Sequence, residues 1–197
     1  FGGIDTGTAS GTAGEIRLLA EGAIDTTAGY LSSIIGLVDG SGNVTLQNGT
    51  AGDITLVSRA GTITTAGLYS SVAGGTSGSI NLEAAGDVRT GQIRSLVGNI
   101  TGTIETGQVS LGGSGNAGDI NIFSTNGLID TTGGPIFSQS INGLGGNVTL
   151  DAAGDITAGN IIATSNNAAG GFSVLTLTSA TGSITLNGSS LNASNLN

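Results

Sequence analysis

The sequence predicts an all-β chain folded as a right-handed parallel β-helix of about six turns, in which long and short turns alternate. Three observations support this prediction: short motifs recur along the chain, apolar and polar residues alternate within each motif, and glycine-rich segments separate the motifs. Self-similarity of this kind is the sequence signature of a repeat architecture. It indicates stacked units that each contact their neighbours.

The first motif is Gly, a small, acidic or amide residue, Ile or Val, a polar residue, and Leu or Ile. Its eight copies are GEIRL at Gly14, GNVTL at Gly42, GDITL at Gly52, GSINL at Gly78, GQVSL at Gly107, GDINI at Gly118, GNVTL at Gly146 and GSITL at Gly182. Side chains alternate between the faces of a strand, so both apolar residues of each copy share one face. We expect inside the coil Ile16, Leu18, Val44, Leu46, Ile54, Leu56, Ile80, Leu82, Ile120, Ile122, Val148 and Leu150.

A second motif and a third segment complete each turn. The second motif, Gly-x-Ile/Val-x-Thr/Ala, opens GAIDTTAG at Gly22, GTITTAG at Gly61, GDVRTG at Gly86, GLIDTTGG at Gly127 and GDITAG at Gly154. The third segment is the looser YLSSII, LYSSVA, QIRSLV, PIFSQSI and NIIATS. Three short strands joined by glycine-rich corners therefore form one turn.

The spacing of the turns predicts a longer repeat. Turns that start at Gly14, Gly52, Gly78, Gly118, Gly146 and Gly182 are separated by 38, 26, 40, 28 and 36 residues. The long turns contain extra first motifs at Gly42 and Gly107, and FSVLTL (Phe172–Leu177) is the degenerate third case. One long and one short turn make a super-repeat of 64 to 68 residues. The resulting division is 1–13 (end of a preceding turn), 14–77, 78–145 and an incomplete 146–197, all within one β-helix.

Composition narrows the fold and excludes several classes of partner. The 197 residues include 38 Gly and 1 Pro, with 3% aromatic residues and no Cys, Met, Trp or His. A propeller blade needs antiparallel hairpins and commonly aromatic signatures, so it fits less well than a coil. The net charge of −9 and only four arginines argue against nucleic acid, and no segment is apolar enough to span a membrane as a helix.

The tandem Gly-Asp/Asn-Ile/Val-Thr-Leu and Gly-x-Ile-x-Thr motifs from Gly14 to Leu186 resemble the filamentous-haemagglutinin-like exoproteins of two-partner secretion and similar giant repeat proteins of bacterial, including cyanobacterial, surfaces. The resemblance implies an exported, elongated stalk or adhesin that is secreted or held at the cell surface. It carries over no catalytic or binding residue. The long turns exceed the coil length we associate with that family, so we expect a flanking strand or side ladder.

The acidic residues favour a structural role. The thirteen carboxylates are Asp5, Glu15, Glu21, Asp25, Asp39, Asp53, Glu83, Asp87, Glu105, Asp119, Asp130, Asp151 and Asp155. Asp53 and Asp119 occupy the same motif position as Asn43 and Asn147, as expected of side chains that cap turns by bonding backbone amides. The common bases and nucleophiles His, Lys and Cys are absent. We therefore predict no enzyme, no catalytic, cofactor or metal residues and no cofactor.

Two other site hypotheses remain open. Asp5, Asp25 and Asp130 each follow the Ile of a GxIDT sequence and are candidates for a structural Ca²⁺ site between turns. Ice binding needs a regular grid of outward threonines, and the middle position of the first motif instead varies. It holds Arg17, Thr45, Thr55, Asn81, Ser110, Asn121, Thr149 and Thr185.

The expected function is a structural or adhesive extracellular β-helix segment, as a stalk or a filament-forming surface protein. A polysaccharide-binding or polysaccharide-active β-helix and an ice-binding solenoid are the alternatives.

Residues 2–14 match the second half of a turn, and only a short polar segment follows Leu186. Open coil ends present unpaired strand edges. We therefore expect end-to-end self-association or continuation of a longer chain, with surface polysaccharide as a further partner and neither nucleic acid binding nor membrane insertion.

Overall fold

A computed structural model describes residues 3–103, 108–110, 112–140, 142–165, 172–188 and 190–195, and every regular element within these ranges is a β-strand. In chain order the strands are β1 (Ile4–Asp5), β2 (Gly11–Thr12), β3 (Ile16–Ala20), β4 (Ile24–Ile34), β5 (Gly36–Val38), β6 (Val44–Leu46), β7 (Asn48–Thr50), β8 (Ile54–Ser58), β9 (Ile63–Val72), β10 (Gly74–Thr76), β11 (Ile80–Ala84), β12 (Val88–Val97), β13 (Asn99–Thr101), β14 (Gln108–Ser110), β15 (Gly115–Asn116), β16 (Ile120–Ser124), β17 (Ile129–Asp130), β18 (Ile136–Ser140), β19 (Val148–Ala152), β20 (Ile156–Ala158), β21 (Ile161–Ser165), β22 (Leu175–Ser179), β23 (Ile184–Leu186) and β24 (Leu191–Asn195).

The strands stack as a parallel β-helix. The first sheet contains six parallel strands in the order β22-β19-β16-β11-β8-β3. Its register aligns one inward apolar residue from each turn, namely Ile16, Ile54, Ile80, Ile120, Val148 and Leu175. The alternating buried and less buried pattern of these strands follows from their period of two. The fold class predicted from the motifs is confirmed.

The second motif and the third segment form one larger sheet. In the first three full turns both lie on single strands, β4, β9 and β12, of 11, 10 and 10 residues. In later turns the second motif and the third segment lie on two separate strands, such as β17 and β18. Pro135 lies at that division, where a residue without a backbone N–H cannot continue the ladder. A small third sheet of four strands, in the order β15-β10-β7-β2, lies between the third segment and the next first motif.

The turn starts at Gly14, Gly52, Gly78, Gly118 and Gly146 are confirmed, but the start at Gly182 is wrong. Ile184 pairs with Ile156, so GSITL belongs to the column of the second motif, meaning the stack of strands that this motif forms in successive turns. The sixth strand of the first sheet is β22, within the segment FSVLTL, and Leu175 pairs with Val148. Both columns need apolar residues two apart facing inward, so the motif alone does not distinguish them. The alternation of long and short turns therefore holds through the first four turns, and the fifth is short.

Each of the two long turns contains an insertion that folds as an antiparallel hairpin outside the coil. Strand β5 pairs with β6, and β13 pairs with β14. The hairpins also meet each other, since the Val44 amide donates to the Gly102 carbonyl over 2.9 Å. We name these four strands the flap. The expected flanking strand is confirmed, whereas the extra motifs at Gly42 and Gly107 do not add strands to the coil.

The interior confirms most of the expected core. Among the twelve residues expected inside, Ile54, Leu56, Ile80, Leu82 and the later members are fully buried in one continuous cluster. Leu18 is only half-buried, because β3 has a described neighbour on one side alone. Val44 and Leu46 are buried in a different place, a second cluster under the flap. That cluster also contains Ile34, Tyr69, Leu96 and Ile100.

Buried serines connect consecutive turns inside the coil. The Ser70 hydroxyl donates to the Gly52 carbonyl over 3.1 Å and accepts the Gly78 amide over 2.7 Å. Ser33 joins Gly14 to Gly52 in the same way. Buried backbone groups need partners, and these serines supply them at the corner where the strand ladder is interrupted. Each such serine therefore joins the opening glycine of its own turn to that of the next.

Candidate functional site

The polar position of the first motif bonds from turn to turn. Asp53 Oδ1 accepts the Ser79 amide over 2.7 Å, and Asp119 Oδ1 accepts the Asn147 amide over the same distance. Asn147 Oδ1 in turn accepts the Val174 amide over 2.9 Å. The predicted capping role is confirmed, and the tertiary structure adds that the capped amide lies on the following turn. Aspartate and asparagine interchange here because each has a side-chain oxygen that can accept the backbone amide.

The second motif repeats this arrangement at its own polar position. Asp87 Oδ1 accepts the Leu128 amide over 3.1 Å. Asp155 Oδ1 accepts both the Ser183 amide over 2.7 Å and the Ser183 hydroxyl over 3.0 Å. These two bonds, the backbone bond first, lower the pKa of Asp155, because they stabilise its charged form.

The three acids considered for Ca²⁺ make local turns. Asp25 Oδ1 accepts the amide and hydroxyl of Thr27 over 2.9 and 2.6 Å, and the side-chain bond is the larger cause of its lowered pKa. Asp130 bonds Thr132 in the same way, and Asp5 accepts the Gly7 amide. Within the described ranges, no three His, Cys, Asp or Glu side chains come together as a metal site would require.

An open groove follows the corner between the second motif and the third segment. It is an open cavity of about 470 Å³, lined mainly by threonine and glycine together with Arg89 and Asp130. Arg89 pairs with Asp87 over 2.9 Å, and Asp130 occupies the neighbouring strand in register with Arg89. Asp25 lies on the same outer row, but Thr64 separates it from Arg89.

The groove therefore brings one arginine near two acids. Asp87 is engaged by Arg89 and the Leu128 amide, and Asp130 by Thr132. Their bonds hold the corner together, which fits the structural interpretation of these residues. Catalysis on a β-helix would need three or more acids that converge with an arginine on one face. Around Arg89 the described residues place two, Asp87 and Asp130.

Arg94 has a role that the sequence analysis missed. Its side chain is buried, it lies in register with Tyr69 and Phe137 of the adjacent strands, and its guanidinium lies 5.7 Å from the centre of the Phe137 ring. Burial lowers the pKa of Arg94, and Tyr69 acts in the opposite direction. The signal was present in the outward position of the third segment, where Tyr, Arg and Phe follow one another in successive turns. Arginine over an aromatic face is a stabilising contact.

The outer row considered for ice binding differs from the expected one. Thr45 lies in the flap, Ser110 belongs to the antiparallel strand β14, and Thr185 lies in the second column. The observed row is Arg17, Thr55, Asn81, Asn121, Thr149 and Thr176. The threonines of this row are interrupted by Asn81 and Asn121, whose side chains form a hydrogen bond of 2.9 Å. It is not a regular threonine grid.

No helix of the described residues is long and apolar enough to cross a membrane. Comparison of the chain with protein-family models, with curated proteins and with solved structures found no match.

Proposed function

We propose that this chain is a structural and adhesive segment of an exported or surface-located rod, in which β-helical coils stack end to end. One observation carries the proposal. The sixth turn repeats the strand register of the fifth, yet its inward side chains are exposed. Ile156 and Ala158 are 0% exposed, whereas their partners in the next turn, Ile184 and Leu186, are each 44% exposed.

We name the exposed end of the sixth turn, with Ile184 and Leu186, the stacking position, because a further coil could pack on it. A further coil would bury these apolar side chains and would pair with the outer edges of β22, β23 and β24, which have no partner strand among the described residues. Unpaired strand edges combined with apolar surface are templates for adding another strand. The covering coil is either a second copy of this chain or further chain of the same protein.

Export and surface location are part of the same proposal. They are supported by the resemblance of the motifs to filamentous-haemagglutinin-like exoproteins. A coil built from Ile, Leu and Val columns and closed by glycine corners needs neither disulfides nor large aromatic side chains for its core.

Sedimentation velocity over a concentration series tests the stacking. The 197-residue chain should associate as concentration rises, and electron microscopy should show particles that grow in one dimension. Ile184→Asp places a charge in the stacking position and should prevent association, whereas Thr185→Asp, on the outer face of the same strand, should not. Far-UV circular dichroism must show that both variants remain β-folded. Native protein that stays monomeric throughout, or Ile184→Asp protein that associates normally, would overturn the proposal.

A further inference from the structure

The outer face of the first sheet holds an exposed aromatic ring between two carboxylates. Phe123 is 38% exposed and points away from the core, since its neighbour Ile122 is buried. In register with it are Glu83 on the preceding turn and Asp151 on the following turn. Strands that pair lie ~4.8 Å apart, so the carboxylates stand on either side of the ring. Among the described residues, neither carboxylate has a side-chain hydrogen bond or ion pair.

A row of amide and hydroxyl groups runs beside this ring. Asn81, Asn121 and Thr149 lie two residues earlier on the same three strands and therefore face the same side of the sheet. Asn121 Nδ2 donates to Asn81 Oδ1 over 2.9 Å. That bond leaves the Asn121 side-chain oxygen as an acceptor and the Asn81 side-chain NH2 group as a donor for another molecule.

A shallow cavity adjoins the ring at the nearby corner. Its volume is about 250 Å³, and its lining includes Phe123, Thr125, Asp151, Ala153 and Ala180. The cavity is shaped by small corner side chains in the later turns. In the first two turns the same corner carries the exposed Glu21–Arg59 ion pair instead.

From this arrangement we propose that the Phe123 face binds a polysaccharide of neutral sugars. The ring offers a flat apolar surface for the C–H face of one sugar. Glu83 and Asp151 accept hydrogen bonds from its hydroxyls, and the asparagine row both donates and accepts. An acidic polysaccharide is disfavoured by the two carboxylates and by the net charge of −9. A small organic cation would use the ring and the carboxylates but would leave the asparagine row without a role.

This inference deepens the adhesive part of the proposed function, because it names the surface and the class of molecule that it would hold. It does not depend on stacking at the coil end. The proposed binding face lies on the side of the rod and spans the third to fifth turns, whereas the stacking position lies on the sixth turn.

Native affinity electrophoresis in gels containing hydroxyethylcellulose, galactomannan or dextran tests the proposal. At least one of these neutral polysaccharides should retard the native chain, and polygalacturonate should not. Phe123→Ala should weaken the retardation about tenfold or more, as truncation of a central aromatic contact does. Leu19→Ala is the matched control, since Leu19 is an exposed apolar residue of the same outer row in the first turn. Far-UV circular dichroism checks that both variants fold.

Three results would overturn the site: no retardation by any of the three neutral polysaccharides, equal retardation of the Phe123→Ala and native chains, or abolition of retardation by tetramethylammonium at low concentration. The Ile184→Asp chain separates the two proposals, because it should lose association and keep normal retardation. If the native chain associates normally but is not retarded, only the polysaccharide site is overturned. If the native chain is retarded normally but does not associate, only the stacking is overturned.

Discussion

Contact with the preceding turn requires glycine at the first position of the first motif in the second to fifth turns, at Gly52, Gly78, Gly118 and Gly146. A Cβ added to Gly78 would collide with the backbone of Gly52, and one added to Gly118 would collide with that of Gly78. The glycines stack directly on one another, so the turns approach as closely as backbone permits. The motif therefore recurs because each turn leaves no room for a side chain at this corner.

Gly78→Ala tests this explanation. We expect it to destabilise the coil by about 1–3 kcal/mol, because a methyl group must be accommodated against rigid backbone. Gly22→Ala is the control, since an added Cβ there meets nothing within 4 Å. Urea unfolding followed by circular dichroism measures both. Equal stability of the two variants would contradict the steric explanation.

The carboxylate of Asp155 should make stability depend on pH. Its pKa is lower in the folded chain than its ordinary value because it accepts two bonds from Ser183. A lowered folded-state pKa gives stabilisation that is present above the unfolded-state pKa of about 4 and is lost as pH falls through the folded-state value. Acid therefore weakens the contact between the fifth and sixth turns.

Asp155→Asn should reduce this loss. Asparagine can still accept the Ser183 amide, as Asn147 accepts the Val174 amide at the equivalent position of the first motif. Thermal melts between about pH 2 and pH 7 should show a flatter acid limb for the variant than for the native chain. Glu15→Gln, which neutralises an exposed carboxylate that makes no turn-to-turn hydrogen bond among the described residues, serves as the control for loss of one negative charge. An identical acid limb in the Asp155→Asn and native chains would exclude the proposed contribution.

At the scale of the element, one five-residue sequence forms two different strands. In GNVTL at Gly146, the chain continues the first sheet, and Asn147 bonds to the turns on both sides. In GNVTL at Gly42, the glycine has a φ of +80° and the following Asn43 bonds Asp39 within the hairpin turn. Glycine is used there for a left-handed conformation rather than for close approach.

The flap packs against coil strands through the second cluster, and both tyrosines lie at this contact. Tyr30 and Tyr69, the only tyrosines of the 197 residues, have ring centres 6.0 Å apart in a T-shaped contact. Leu46 is buried beside Tyr69 in the second cluster. Near-UV circular dichroism in the tyrosine region therefore reports mainly on the flap.

Leu46→Ala should loosen the flap without unfolding the coil. The expected result is a weaker near-UV tyrosine signal with an unchanged far-UV β spectrum, because the cavity opens in the second cluster only. Leu37→Ala, at a 56% exposed residue of the partner strand β5, is the matched control and should change neither signal. Simultaneous loss of both signals in Leu46→Ala would show that flap and coil are one cooperative unit.

At the scale of the whole molecule, stability should depend on position along the coil. Each turn contacts its neighbours, and partner strands are 26 to 40 residues apart in the first four turns. Such nonlocal parallel pairing also predicts slow folding. Interior turns gain packing on two sides, and the sixth turn gains it on one among the described residues.

Leu82→Ala should therefore cost about 2–5 kcal/mol, the usual range for a fully buried leucine. Leu186→Ala, at a residue that is 44% exposed, should cost clearly less when measured by urea unfolding at low protein concentration. At high concentration its cost should grow if coils stack, because stacking buries Leu186. Equal costs for both variants in dilute solution would contradict a gradient along the rod.

The sequence by itself determined the architecture, the five main turn starts, most of the core and the capping role of the motif acids. It could do so because alternation and glycine corners are local patterns that repeat. The sequence did not distinguish GSITL at Gly182 from a first motif, or the flap strands from coil strands. In each case the same alternation satisfies both positions.

Only the tertiary structure decided which copies align, because register depends on the chain between the motifs and on the neighbours already stacked. It placed Arg94 between aromatic rows, set Asp87 and Asp130 around Arg89, and put Glu83 and Asp151 beside Phe123. The partners that lie on different turns are 25 to 43 residues apart in sequence. A local pattern fixes which face a side chain occupies, but its neighbours across the sheet are fixed by inter-turn hydrogen bonds and close packing.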